Sequence, residues 1–375
     1  MTARQVHLSA RAAAFLIVVA LAAAACQGGE HRPAATRTAA VPSASRTRPT
    51  QGPRAVTLAF AGDVHFMKVP RARLAHDPDT ALGPIAVVLR RADVAMVNLE
   101  TTVTTRGAPQ PKHYVFRAPP SAFRALRAAG VDVVTMANNH GMDYGLVGLR
   151  DSLAAAATAR FPIVGIGRTA TQAYAPWVAS VGGQRIAILG ATQVLEPGLQ
   201  TAWTAGPDKP GLAATHDERR LLAAVRRASA VADTVVVYLH WGEEGNPCPT
   251  SSQRKVAHLL ARAGADIVVG AHAHTLQGSG WLGNTYVAYG LGNFYWWNWF
   301  SASNRTTGVL TLTVAAGRVT HTAWTPAVIR EGAPIPLTGA AAAQARSRLA
   351  ALRSCTNLSA TSSYPRPPTQ PADFR

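Results

Sequence analysis

The sequence predicts a single α/β layered domain over about residues 55–330, built on mixed strands. Three observations predict it. Short apolar runs that end in Gly or Asp alternate with longer stretches of helical spacing. Two apolar runs joined through Gly182-Gly183 read as a hairpin, and late runs follow one another without a helix between them, so antiparallel pairs join the parallel ones. No internal repeat or linker-like stretch interrupts the span.

In order, Val56–Ala61 is an apolar run closed by Gly62-Asp63, a strand followed by a loop. Ile85–Arg91 has helical spacing, and Val94–Val97 is a buried-strand run. Ser121–Ala129 reads as a helix stopped by Gly130, and Val131–Met136 as a strand. Gly145–Ala159 is helical and Ala-rich, and Ile163–Ile166 is a strand closed by Gly167. Trp177–Val181 and Arg185–Leu189 are the two arms of the hairpin. Asp217–Ala230 is a helix with an acidic first turn. Thr234–Leu239, Ser251–Ala263 and Asp266–Val269 read as strand, helix and strand. Thr285–Tyr289, Val309–Val314 and Val319–Trp324 complete the strands. Residues 331–375 form a C-terminal extension, with a short helix over Ala340–Leu352 and a disordered tail from Ser359 to Arg375.

The first 54 residues read differently. Arg4, His7 and Arg11 precede an apolar run, Ala12–Ala25, of signal-peptide length. Four alanines then lead into Cys26. This resembles the lipobox of bacterial lipoproteins, in which that Cys is lipidated, although Ala23 stands where Leu is usual. Cleavage without lipid is the alternative. Residues 27–54 are Gly, Pro, Ser, Thr, Ala and Arg and read as a tether. The expectation is an exported chain on the outer face of the cytoplasmic membrane, anchored through Cys26.

The net charge is +18, of which residues 1–54 carry about a third as seven Arg against one Glu. Such a field favours anionic partners such as an acidic envelope polymer or anionic lipid. An Arg-rich composition bias explains it equally well. Nucleic acid is argued against by the export signal. Beyond Cys26 only Cys248 and Cys355 remain. They can pair in an oxidising exterior, but spacing alone does not decide it.

Candidate ligands fall where strands end. They are Asp63 and His65, Glu100, Asn139 and His140, His240, and His272 and His274. In open α/β sheets, sites gather beyond the carboxyl ends of the strands. Two carboxylates, an amide and several imidazoles suit a pair of divalent metals with oxygen and nitrogen donors. An imidazole left off the metal can protonate a leaving group. Lys112 and Arg117, near Phe116, are candidates for contact with an anionic substrate, against a reading as surface charge. Glu243 and Glu244 either reach into the site or form a solvated turn. The run Tyr295–Phe300, with Trp296, is either a binding wall or packing.

Several blocks resemble a known family. Asp63-x-His65, Asn139-His140, His240 and Gly270-x-His272-x-His274 are similar to the calcineurin-like metallophosphoesterase superfamily. Asn98-Leu-Glu100, Phe116–Pro119, Ala137–His140 with Asp143-Tyr-Gly145, His240–Glu243, Gly264–Gly270 and Gly290–Phe294 resemble the CapA family, linked to bacterial poly-γ-glutamate capsule synthesis. The resemblance implies a four-layer α/β/β/α sandwich with mixed sheets. It implies two divalent ions (Mn, Fe or Zn), with Asp63, His65 and His274 on one and Asn139, His240 and His272 on the other. It further implies Glu100 as the bridge and His140 as the acid. The function implied is hydrolysis of a phosphoester or related bond in polymer biosynthesis. The alternative is an accessory subunit beside polymer synthetase subunits, with structural metal. The chain departs from the family in carrying His65, and in His272-Ala-His274 where His-Pro-His is usual.

Overall fold

A computed structural model of the protein describes residues 53–297 and 301–364. The signal segment, Cys26 and residues 27–52 of the tether expected over 27–54 lie outside the described residues, as does the tail from 365. No helix among the described residues is long and apolar enough to cross a membrane.

Two mixed sheets face each other. The eight-stranded sheet is built from β1 (Val56–Val64), β2 (Val94–Leu99), β3 (Val133–Thr135) and β4 (Ile163–Val164), with later strands added. The six-stranded sheet uses β5 (Trp177–Val181), β6 (Gln184–Thr192), β7 (Thr234–Trp241), β8 (Ile267–His272), β9 (Ser279–Leu282) and β10 (Thr285–Ala288). Next, β11 (Asn293–Tyr295), β12 (Thr306–Ala315), β13 (Arg318–Arg330) and β14 (Ala333–Pro336) join the first sheet. Its order is β14-β13-β12-β1-β2-β3-β4, with β11 against β1. The order in the other sheet is β9-β10-β8-β7-β6-β5. The eight-stranded sheet is parallel from β1 to β4 and antiparallel from β1 to β14, and the six-stranded sheet is parallel from β6 to β10 and antiparallel at both edges.

Strand periodicity explains the layers. Alternate residues point to opposite faces, so a strand between two layers must be apolar on both. Leu58 and Phe60 of β1 meet Val236 and Tyr238 of β7 in the core between the sheets. Their neighbours Ala59 and Ala61 face helices α1 (Val69–His76), α2 (Ser121–Ala128) and α3 (Gly145–Ala159). On the other side, Val235, Val237 and Leu239 pack on α4 (Glu218–Ser229) and α5 (Ser251–Arg262). Three cores between four layers make the expected α/β/β/α sandwich. The local signals agree. The Asp217 side chain caps α4, and Thr250 with Gln253 forms a capping box on α5.

Three features differ from the sequence reading. The run Ile163–Ile166 is not one strand. Gly165 adopts a positive φ of 86°, so β4 stays in the large sheet while Ile166–Gly167 pairs with Gly211–Leu212. Helix α1 escaped the pattern because its mixed sequence, VPRARLAH, carries no apolar stripe. The C-terminal extension is built into the fold. The edge at 330 falls between β13 and β14, which are hydrogen-bonded, and α6 (Gly339–Ala351) follows. Disorder does not begin at Ser359: its amide and carbonyl both bond to Trp281 at 2.9 Å, covering the open edge of β9. Cys248 and Cys355 form a disulfide that fixes this return.

Candidate metal centre

The site sits at the carboxyl ends of β1, β2, β3, β7 and β8. Register places its parts side by side: Asp63 opposite Asn98, Asn98 opposite Thr135, and Trp241 opposite His272. Gly62 and Gly270 allow the crowding. A Cβ on Gly62 would lie 1.8 Å from the Gly292 carbonyl, and one on Gly270 2.0 Å from the Trp241 indole nitrogen. The Asp63 amide thus donates to the Gly292 carbonyl at 2.9 Å. Just below, the Tyr238 hydroxyl donates to the Ala61 carbonyl across 2.7 Å and ties the sheets together.

Glu100 is the hub. It is fully buried, and neither carboxylate oxygen has a hydrogen-bond partner among the described residues. One oxygen lies 3.7 Å from His140 Nε2, 3.8 Å from His240 Nε2 and 4.0 Å from His274 Nε2. Burial, then the charge of Asp63, holds its carboxyl well above the usual range. Asp63 is oriented by Asn98, whose Nδ2 donates to Oδ1 at 2.7 Å, and by the His272 amide, which donates to Oδ2 at 3.1 Å. Donor atoms of Asp63, Glu100 and His240 fall within 4.8 Å of one another, and so do those of Glu244, His272 and His274.

The imidazoles face each other at close range. His240 Nε2 meets Asn139 Oδ1 at 2.8 Å, and its Nδ1 lies 3.0 Å from Asn98 Nδ2. His240 and His272 are both held well below the usual imidazole range, first by burial and then by neighbouring imidazoles. A neutral imidazole is the form that can bind a cation. His272 Nδ1 is buried without a partner among the described residues. Burial lowers His274 too, but Asp63, Glu244 and Asn293 more than offset it, and its value is raised. His272 and His274 both adopt positive φ, 92° and 52°. Such backbone strain in non-glycine residues is held in place by surrounding structure at functional sites.

His140 carries its own relay. Nδ1 meets Asp143 Oδ2 at 2.6 Å, and the Phe116 amide donates to the same oxygen. Phe116 stacks on the ring at 4.0 Å. Burial pulls the His140 value down, and Asp143 opposes it. Asp143 stands in one of the family blocks, but its role emerges only when the turn from 140 to 143 closes.

Four of the candidate residues take the following places. The Lys112 ammonium is buried, donating to the Asn139 carbonyl and paired with Asp143 and Glu196. Arg117 stacks on Tyr144 and does not line the cavity above the centre. Glu243 accepts from Asn246 in an exposed turn, and its neighbour Glu244 faces the histidines. His65 lies outside both donor groups; its Nε2 accepts from the Trp297 amide at 3.3 Å, its ring lies against Phe116 and Trp296, and its Nδ1 is buried without a partner among the described residues. Trp296 is buried, 4.0 Å from the His65 ring and 4.7 Å from that of His274, and it lines a cavity of about 270 Å³. Sequence reasoning assigned no role to Asn98, Asn138 or Asn293. Asn138 bonds Asn98 and the His140 amide, and Asn293 Oδ1 meets His274 Nδ1 at 2.8 Å.

Buried, unpartnered oxygen and nitrogen donors gathered at strand ends make a candidate metal site on an α/β sandwich. The chain belongs to the bacterial capsule synthesis protein family PGA_cap, whose profile matches residues 57–296. It is 30% identical over 243 residues to PGA biosynthesis protein CapA of Bacillus subtilis, covering 64% of this chain and 63% of that one. Capsule biosynthesis protein CapA of Bacillus anthracis is 29% identical over 64% of this chain and 59% of its own. A probable polyglutamine synthesis accessory protein of Mycobacterium tuberculosis is 32% identical over 48% of this chain and 50% of its own. The matches thus span half to just under two thirds of these relatives. Among solved structures, the chain is similar to a phosphatase from Mycoplasma pneumoniae, with a TM-score of 0.46 and 14% identity over 74% of this chain and 94% of that one. A 5'-nucleotidase from Candida albicans gives 0.44 and 8% over 80% of this chain and 57% of its own.

Proposed function

We propose that the protein is an exported, metal-dependent hydrolase of a phosphoester or related bond, acting in envelope polymer biosynthesis. The observation that carries this is Glu100, a buried carboxylate with both oxygens unpartnered amid Asp63 and three histidines. A buried anion in that state is costly unless a cation joins it. The donors present suit divalent ions, which Asp63, His65, Glu100, Asn139, His240, His272 and His274 would hold. Divalent cations supply Lewis acidity and a clamp for displacement when bound.

The chain's own residues do the rest. Asp143 fixes His140 through Nδ1, which leaves Nε2 to hold a proton for the leaving group. Lys112 holds Asp143 and the Asn139 loop together. Phe116 and Trp296 shield the centre from bulk water. Manganese-loaded protein should hydrolyse bis(4-nitrophenyl) phosphate, and His140→Ala should lower the rate by roughly 10²–10⁴-fold with metal content unchanged. No turnover in any metal state would remove the hydrolase reading.

The membrane anchor is part of this proposal, supported by the apolar run before Cys26. Cys26→Ser should move the protein from the membrane fraction to the soluble one, and an unchanged distribution would refute the anchor. One observation favours a second reading, an accessory component of a polymer synthesis or export complex. No Lys or Arg appears among the described residues lining the cavity, so a long polyanion finds no cationic wall there. In that case polymer output survives His140→Ala.

A further inference from the structure

We propose that a groove at the opposite ends of the strands from the metal centre binds an extended chain of carboxylates, an acidic polymer held outside the catalytic cavity. The inference takes up the polymer part of the reading above and is independent of the metal. Two cavities, of about 510 and 210 Å³, share Trp281, Thr322 and Ala360 and so form one groove. It follows β13 from Val319 to Trp324, about 17 Å of strand. Register fixes its place. Val319 lies opposite Val314, and Val314 opposite Val56 at the start of β1. Trp281 lies opposite Tyr286, and Tyr286 opposite Ile267 at the start of β8. Asp63 and His272 stand at or next to the other ends of those two strands, roughly 20 Å away.

Charge distinguishes the groove. Arg346 and Arg353 reach it from α6 and the turn that follows. Arg318 sits over the Tyr364 ring at its other end, 4.3 Å from the centroid. No Asp or Glu lines either cavity. Among the described residues, arginine ion pairs engage Arg54, Arg106, Arg124 and Arg220 and leave these three aside. A guanidinium matches a carboxylate with two parallel hydrogen bonds. Trp281, Trp324 and Tyr364 offer apolar surface to the methylenes between charges. Alternate side chains of an extended chain share a face about 7 Å apart, so three cations suit about 17 Å of it. A nucleic-acid strand would bring about five phosphates over the same length. The groove is also preformed, which lowers the ordering cost of binding. Ser359 bonds Trp281 through both its amide and its carbonyl at 2.9 Å. Gly280 lets the Arg353 stem lie on β9, since a Cβ there would be 2.9 Å from Arg353 Cδ.

The test is fluorescence anisotropy of labelled poly-L-glutamate with the full chain, in chelator and at several salt concentrations. Wild type should bind, and more weakly as salt rises. Arg346→Gln/Arg353→Gln, checked for folding by circular dichroism, should weaken binding roughly tenfold. Arg346→Gln alone, at an exposed position, should show part of that loss. Arg226→Gln/Arg227→Gln removes the same charge from α4, outside the groove, and should stay within about twofold of wild type. Hydrolysis of bis(4-nitrophenyl) phosphate should be unchanged in the groove variants, so the two readings fail separately. No binding by wild type, or an equal loss in the α4 variant, would overturn the groove. Binding that requires manganese would move the polymer to the metal centre. Tighter groove binding of oligothymidylate than of poly-L-glutamate would overturn the carboxylate assignment.

Discussion

Glu100 shows how a single buried charge can report a missing partner. Its carboxyl is raised well above the ordinary value of 4.5, first by burial and then by Asp63. Without metal, the folded chain holds a proton that the unfolded chain has released above about pH 4.5. Apo stability therefore falls as pH rises through that region toward the raised folded value. Glu100→Gln has no proton to lose. In chelator, the variant should melt above wild type at pH 8, with the gap closing toward pH 4.5, and it should bind less metal. A lower melting temperature at both pH values would mean Glu100 has a protein partner. At this scale the ligand types were legible, because Asp63, Glu100, His240 and His272 each sit at or next to the end of an apolar run. The orienting asparagines were not. Asn98 acquires its role only when β1, β2 and β7 bring Asp63 and His240 to it. Glu243 and Glu244 are adjacent, and it is Glu244 that comes within 4.0 Å of His274 Nε2.

Strands deliver the site, and their close approach is a packing matter. β8 runs between β7 and β10, and Gly270 leaves room there for the Trp241 indole, which donates to the Tyr289 carbonyl at 2.7 Å. A methyl at Gly270 would sit 2.1 Å from that same carbonyl and 2.0 Å from the indole nitrogen, with backbone on one side. Gly270→Ala should therefore cost on the order of 3 kcal/mol or more in stability. Denaturant titration measures it, and a loss below about 1 kcal/mol would show that β8 and Trp241 can part cheaply. The periodicity of β1, β2, β7 and β8 made these elements readable. Short pieces were not: Thr102–Val103 and Arg117–Ala118 pair as two-residue strands, too brief for any periodic signal.

The whole molecule joins two sheets whose strand ends converge on one centre. The α/β layering was legible in the alternation of strands and helices, and the four-layer sandwich was what the family resemblance implied. The C-terminal return was hidden, because small residues such as Ser359 order only against the edge that β9 presents. The paired Cys248 and Cys355 link that return to the loop beside Glu244, a connection across 107 residues that composition does not carry. The central claim concerns the centre itself. Elemental analysis of the native protein, purified without chelator and after dialysis against manganese, tests it most directly. The account predicts two divalent ions per chain, falling to one or none in Glu100→Gln. A native protein that holds none, and takes up none on dialysis, would contradict it.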